Sequence, residues 1–161
     1  MLSSHSVIDS RRTESVAGNS GVRGTFDAHT PYEVFDREHR VLREGVAGLR
    51  RVLLSDHPGT SARLVEHIDT VRAQLAVHFA FEEDGGFMHY LRVARPALAP
   101  WIDRLEGEHR EILAVLTRVS AGLNNGLSCA DVRSTVTSVL EHLANHEFDE
   151  HELLRSALLS D

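Results

Sequence analysis

The chain has little of the chemistry on which several classes of small protein depend. It contains a single cysteine, Cys129, and only 4 prolines. Aromatic residues make up just 6% of the chain. One cysteine excludes an internal disulfide framework and a thiolate zinc knuckle. Few aromatic residues and prolines favour helices over a sandwich or barrel built from many strands. No apolar run approaches the ~20 residues that a membrane span needs.

Histidine, by contrast, is abundant. The 161 residues include 11 histidines, and 42% of the chain is apolar, which is enough for the core of one domain. Acidic residues outnumber basic ones by 24 to 17, so the net charge is -7. That charge argues against nucleic acid or an anionic membrane as the main partner. The positions of the histidines therefore become the principal indication of function.

Residues 1–29 differ in composition from the rest of the chain. They are rich in serine and glycine without periodicity, which predicts a flexible arm. They have no apolar segment typical of a secretory signal, and the acidic residues Asp9 and Glu14 are unlike a transit peptide. We therefore expect a cytoplasmic protein with this arm and one domain over residues 30–161.

From Thr30 onward, apolar residues recur with the 3.6-residue period of a helix. Thr30 and Pro31 are suited to the N-cap and first position of a helix, and Ser128 is suited to cap another. The pattern predicts four long helices and a short extra helix between the second and third, over about 30–55, 60–83, 87–95, 97–122 and 128–159. Short turns between long helices predict an all-α protein, an antiparallel up-down four-helix bundle.

The two halves of this bundle repeat the same polar residues. Glu38-His39-Arg40 in the first long helix recurs 70 residues later as Glu108-His109-Arg110 in the third. His78-x-x-x-Glu82 in the second recurs 68 residues later as His146-x-x-x-Glu150 in the fourth. Residues four apart share a helix face, so each His-x-x-x-Glu pair can face one point.

The four histidines are also predicted to lie at one level of the bundle. His39 is about 15 residues from the end of its helix and His78 about 18 from the start of the next, so at ~1.5 Å per residue the chain returns to nearly the same height. A single histidine on an apolar helix face is usually a core residue. Two carboxylates and four histidines in duplicated order instead predict a metal site with the ligands His39, His78, Glu82, His109, His146 and Glu150.

The types of ligand restrict the metal. Four imidazoles and two carboxylates without sulfur suit iron, manganese or zinc, and six ligands are too many for one tetrahedral zinc. Two metals, each held by two histidines and both spanned by Glu82 and Glu150, use the whole set. With an added oxo or hydroxo bridge, each metal keeps an open position. An open redox-active pair is suited to bind dioxygen, peroxide or nitric oxide.

This duplicated pattern resembles that of the hemerythrin-like, or HHE cation-binding, domains over about residues 31–159. The resemblance implies a four-helix bundle with two non-haem irons. Oxygen-carrying members use a fifth histidine, whereas the duplicated His-x-x-x-Glu is closer to bacterial and iron-sensing relatives. These include di-iron proteins linked to iron–sulfur repair and nitric-oxide stress. Those repair proteins have a cysteine-bearing N-terminal domain, and residues 1–29 contain no cysteine.

Two functions are consistent with this pattern. One is a non-haem di-iron protein that binds a small diatomic or peroxide ligand in sensing, carriage or detoxification, with reduction of peroxide or nitric oxide as its enzymatic form. The other is an iron-binding or iron-sensing module without redox turnover.

Several residues beside the predicted ligands have alternative roles. His142 lies one turn before His146 and is either a fifth histidine ligand or part of the surrounding polar flank. Asp36 and Glu106 lie three residues before His39 and His109, where they either bind metal or hydrogen-bond to a ligand imidazole. Acidic neighbours of the ligands are turned about 100° away on the helix, and most of them are expected to be solvated: Glu38, Glu83, Glu108 and Glu147. Four other histidines are expected to lie at the surface: His5, His29, His57 and His151.

Overall fold

A computed structural model describes residues 29–55 and 60–159, and these residues are almost wholly helical. No strand occurs within these residues. The helices are α1 (His29–Leu53), α2 (Thr60–Glu83), α3 (Phe87–Ala94), α4 (Ala99–Asn124) and α5 (Cys129–Leu159), and one 3-10 turn (Pro96–Leu98) precedes α4. The predicted all-α class is thus confirmed, and four of the helices are long.

The helix ends differ slightly from the predicted ones. Helix α1 begins at His29, one residue before the predicted cap. Helix α4 begins at Ala99 rather than residue 97, because Pro96 starts the 3-10 turn. It continues two residues past Gly122, since the N–H of Asn125 still bonds to the carbonyl of Ala121 at 3.0 Å. The predicted arm up to residue 28 and the turn at residues 56–59 lie outside the described residues.

The start of α5 shows the cap that the sequence predicts. The backbone N–H of Asp131 donates to Oγ of Ser128 at 3.3 Å. In return, the backbone N–H and the hydroxyl of Ser128 donate to Oδ2 of Asp131 at 2.8 and 2.7 Å. These hydrogen bonds lower the pKa of Asp131. The reciprocal arrangement satisfies amides at the helix start that have no partner within the helix.

Buried apolar side chains form two clusters with the polar residues between them. The larger cluster joins the four long helices, and the smaller one joins α3 to α4 and α5 through Met88, Leu91, Ile102, Leu105 and Leu153. Along α4, His109 lies between Leu105 of the smaller cluster and Ile112 of the larger. The histidine layer therefore has apolar packing on both sides. None of the helices in the described part of the chain is long and apolar enough to span a membrane.

Candidate metal centre

The structure brings together the six residues that the repeat singles out. His39 comes from α1, His109 from α4, and each of α2 and α5 supplies one His-x-x-x-Glu pair. Five of the six side chains are at most 1% exposed, and His78 is 6% exposed. Burial of a polar side chain is costly unless it is hydrogen-bonded, paired with an opposite charge or bound to a metal.

The six side chains form two groups that share a carboxylate. In one group, which we call the first-half group, are His39, His78, Glu82 and Glu150; the second-half group comprises His109, His146 and Glu150. Within each group the potential ligand atoms lie within 4.8 Å of one another. Each group thus pairs the two histidines of one half of the repeat.

Both glutamates face the two groups with different oxygens. Oε2 of Glu150 lies 3.4 Å from Nε2 of His39, while its Oε1 lies 3.0 Å from Nε2 of His146. Oε1 of Glu82 lies 3.2 Å from Nε2 of His78, and its Oε2 lies 3.6 Å from Nε2 of His109. A carboxylate that faces two groups in this way is placed to bridge two cations.

Several of these buried atoms have no hydrogen-bond partner in the part of the chain that the structure describes. They are both ring nitrogens of His78, both oxygens of Glu82 and Nε2 of His146. The distance of 3.2 Å between His78 and Glu82 is short, yet the geometry does not make a hydrogen bond. Buried polar atoms are almost always bonded in proteins, so the acceptor atoms in this set fit the ligands of a bound cation.

The two buried glutamates of the centre have pKa shifts in opposite directions. Burial and the negative charge of Glu150 raise the pKa of Glu82 well above its ordinary value. Burial would also raise the pKa of Glu150, but contacts with His109, His146 and His39 hold it well below its ordinary value. Two buried carboxylates at close range cannot both ionise easily. A cation between them would relieve this repulsion.

Two of the histidines also have pKa shifts in opposite directions. Burial, followed by the nearby charge of His39, lowers the pKa of His78 to about 4, so its imidazole is neutral at pH 7. Burial would lower the pKa of His146, but the carboxylates of Glu150 and Glu108 raise it overall. A neutral imidazole offers a lone pair to a metal. Four imidazoles and two carboxylates, without sulfur, suit iron, manganese or zinc.

Two further carboxylates touch the histidines from outside. Nδ1 of His109 donates to Oε1 of Glu83 at 2.6 Å, and Nδ1 of His146 donates to Oε2 of Glu108 at 2.9 Å. The prediction that these glutamates are solvated is therefore wrong. Each is turned about 100° from the adjacent predicted ligand on its own helix but reaches a histidine on a neighbouring helix. Glu83 of α2 reaches α4, and Glu108 of α4 reaches α5. Arg104 in turn donates to the other oxygen of Glu108 at 2.7 Å.

The expectations for Glu147 and His151 are also wrong. Glu147 is half-buried, and burial is the main reason why its pKa is raised. His151 is half-buried too, with its ring centroid 5.8 Å from that of His39, and its Nδ1 donates to the carbonyl of Glu147 at 2.9 Å. These residues are one turn apart on α5, each one position after a residue of the centre. This adjacency in the sequence is the signal that could have indicated their burial.

The alternatives for His142 and Glu106 have different outcomes. His142 belongs to neither group; its side chain is 38% exposed, with Nε2 3.9 Å from Oε2 of Glu108. Glu106 pairs with Arg92 at 2.7 Å, which is neither of its two predicted roles. The side chains of Asp36 and Glu38, and those of His5, His29 and His57, lie outside the described residues.

Comparison with known proteins identifies the family of the chain. The model of a family described as the hemerythrin HHE cation binding domain matches residues 30–158. No curated protein and no solved structure matches the chain.

Proposed function

Because the chain belongs to the hemerythrin HHE cation-binding family, we propose that it is a non-haem di-iron protein that binds a small ligand. In this proposal, two irons are held by His39, His78, Glu82, His109, His146 and Glu150. The ligand is dioxygen, peroxide or nitric oxide. Two ions, and not one, are favoured because each glutamate presents separate oxygens to the two histidine groups.

We also propose that the four long helices alternate in direction, as an up-down bundle. Helix α2 packs against α1 and α4, and α4 packs against α5. This is the order of neighbours that short connections between long helices favour. The extra helix α3 then closes one end of the bundle through the smaller apolar cluster.

The side chains around the centre limit what can react there. The bound irons would supply one-electron chemistry and an exchangeable coordination position. Burial of all six donors between two apolar clusters limits access of bulk water and favours small ligands. Since the pKa of Glu82 is raised in the metal-free protein, binding of a cation must displace any proton that this carboxyl holds.

The alternative, an iron-binding or iron-sensing module without redox turnover, uses the same donors. It predicts the same metal uptake but no reaction with small ligands. Because the donor set is common to both functions, only reactivity at the loaded centre distinguishes them.

The test is anaerobic loading of the metal-free chain with ferrous iron, followed by separate additions of dioxygen, hydrogen peroxide and nitric oxide. We expect two ferrous ions per chain, new absorption with nitric oxide, and an oxidised form whose near-ultraviolet bands shift on addition of azide. Normal iron uptake with a spectrum that none of these ligands changes would contradict ligand binding and favour the sensing module. Failure to take up iron would contradict both functions.

A further inference from the structure

The two halves of the centre repeat the same inner residues but differ in what surrounds them. Glu82 is followed by Glu83, whereas its counterpart Glu150 is followed by His151. Likewise, His78 is followed by Phe79, whereas its counterpart His146 is followed by Glu147. The repeat is therefore broken directly after the two His and the two Glu residues of the His-x-x-x-Glu pairs. It is kept at Glu108, whose counterpart is Glu38, and the side chain of Glu38 lies outside the described residues.

In the second-half group, both histidines are held from outside by a carboxylate. Glu83 accepts from Nδ1 of His109 at 2.6 Å, and Glu108 accepts from Nδ1 of His146 at 2.9 Å. Phe79 stacks on the ring of His109 with the centroids 3.8 Å apart. These contacts fix each ring with Nδ1 outward and Nε2 toward Glu150.

His78 of the first-half group is held differently. Among the described residues, Nδ1 of His78 has no hydrogen-bond partner. Its ring instead meets the ring of His39 edge-on, with the centroids 4.6 Å apart and the planes at 85°. The imidazole of His78 is thus positioned by ring packing rather than by an acceptor.

A carboxylate on Nδ1 has two effects on a histidine that binds metal through Nε2. It fixes the tautomer with the lone pair on Nε2, and it makes that nitrogen a stronger donor. Loss of such a partner typically lowers metal affinity about 10- to 100-fold. Arg104, which donates to Oε1 of Glu108 at 2.7 Å, holds that carboxylate in place with its other oxygen toward His146.

We propose that Glu83 and Glu108 are positioning residues for one metal position only, the one at His109 and His146. The inference rests on the proposed function, since it presumes two bound metals. It adds that the two positions are chemically unequal, despite the duplicated ligands. Removal of either outer carboxylate should therefore weaken one of the two metals and leave the other in place.

The experiment uses the full metal-free chain, titrated anaerobically with Co²⁺ and, separately, with ⁵⁷Fe²⁺. The variants are Glu83→Gln and Glu108→Gln, which keep the side-chain shape and remove the charge. Glu106→Gln is the matched control, because Glu106 is also on α4, is similarly exposed and is also paired with an arginine, Arg92. Circular dichroism establishes that each variant is folded.

For the wild type we expect two equivalents of Co²⁺ and two distinct ⁵⁷Fe Mössbauer quadrupole doublets of equal area. In each outer-carboxylate variant, one equivalent should bind about 10- to 100-fold more weakly and one doublet should shift, while the other is unchanged. The control should match the wild type.

Three results would overturn the inference: unchanged affinities in both variants, equal weakening of both equivalents, or a single doublet in the wild type. Fewer than two equivalents in the wild type would instead contradict the proposed function itself. The failures of the two proposals are therefore distinguishable. If one glutamine variant does not fold, the other tests the same claim from a different helix.

Discussion

The ring of Phe79 lies flat against the imidazole of His109, with the ring planes 8° and the centroids 3.8 Å apart. The same phenyl ring meets His146 edge-on at 5.6 Å. One apolar side chain therefore contacts both histidines of the second-half group. It fixes their orientation and covers the polar layer on the side of the larger apolar cluster.

Phe79→Leu should reduce both stability and metal affinity. Leucine keeps most of the apolar volume but loses the stacked and edge-on contacts, so we expect a loss of about 1 kcal/mol in the free energy of unfolding. Urea unfolding of the metal-free chain and a Co²⁺ titration measure the two effects. Phe81→Leu is the control, because Phe81 is 55% exposed on the same helix. Equal effects of the two substitutions would show that the stack has no special role.

The bridging carboxylates should respond oppositely to removal of charge in the metal-free protein. Because the pKa of Glu82 is raised, its protonated form favours folding below about pH 4.5, and this contribution is lost as the pH rises. Glu82→Gln should therefore stabilise the metal-free chain at pH 7, and the gain should disappear below about pH 4.5.

Glu150→Gln should have the other sign. Because the pKa of Glu150 is lowered, its ionised form stabilises the fold above about pH 4.5, and this contribution is lost as the pH falls through the lowered pKa. The substitution should cost roughly 1.5–3 kcal/mol at pH 7 and progressively less in acid. Thermal unfolding from pH 3 to 8 measures both variants. Parallel curves for the two would contradict the unequal charge distribution.

His142→Ala should retain two metals per chain, whereas His146→Ala should lose at least one. The two residues are one turn apart, but only His146 is buried and belongs to a donor group; His142 is 38% exposed. Metal analysis after reconstitution and desalting gives the comparison. Similar loss from both variants would make His142 a ligand and would contradict the proposed set of six ligands.

Ser128→Ala should destabilise the fold by about 1 kcal/mol, because it removes the side-chain cap of α5. Ser134→Ala, at an exposed position within the same helix, should be neutral or slightly stabilising, since alanine has the higher helix propensity. Chemical unfolding of the two variants tests the difference. Neutral behaviour of Ser128→Ala would mean that Asp131 and solvent cap the helix without it.

The six residues of the centre were predictable from the sequence because residues four apart lie on the same face of a helix. The duplicated His-x-x-x-Glu defines a face on α2 and on α5, and His39 and His109 occupy equivalent places in the repeat. Periodicity therefore placed six residues without knowledge of any contact between helices. The class of fold and the long helices followed from the same periodicity.

The outer contacts were not predictable in this way. Glu83 and Glu108 are each one residue, about 100° of helix rotation, from a predicted ligand on their own helix. Only the position of a neighbouring helix brings them to a histidine. Glu106 repeats the place of Asp36 yet pairs with Arg92, because α3, which supplies the arginine, has no counterpart in the repeat among the described residues. Such contacts depend on packing between helices, which spacing along one helix does not determine.

The metal content of the full chain after anaerobic loading with ferrous iron and removal of excess metal tests the di-iron proposal most directly. We expect two irons per chain, with a magnetically coupled pair in the oxidised form. We also expect Glu82→Ala and Glu150→Ala each to lower this number, since both glutamates face the two histidine groups. One zinc per chain without uptake of ferrous iron would contradict the proposal.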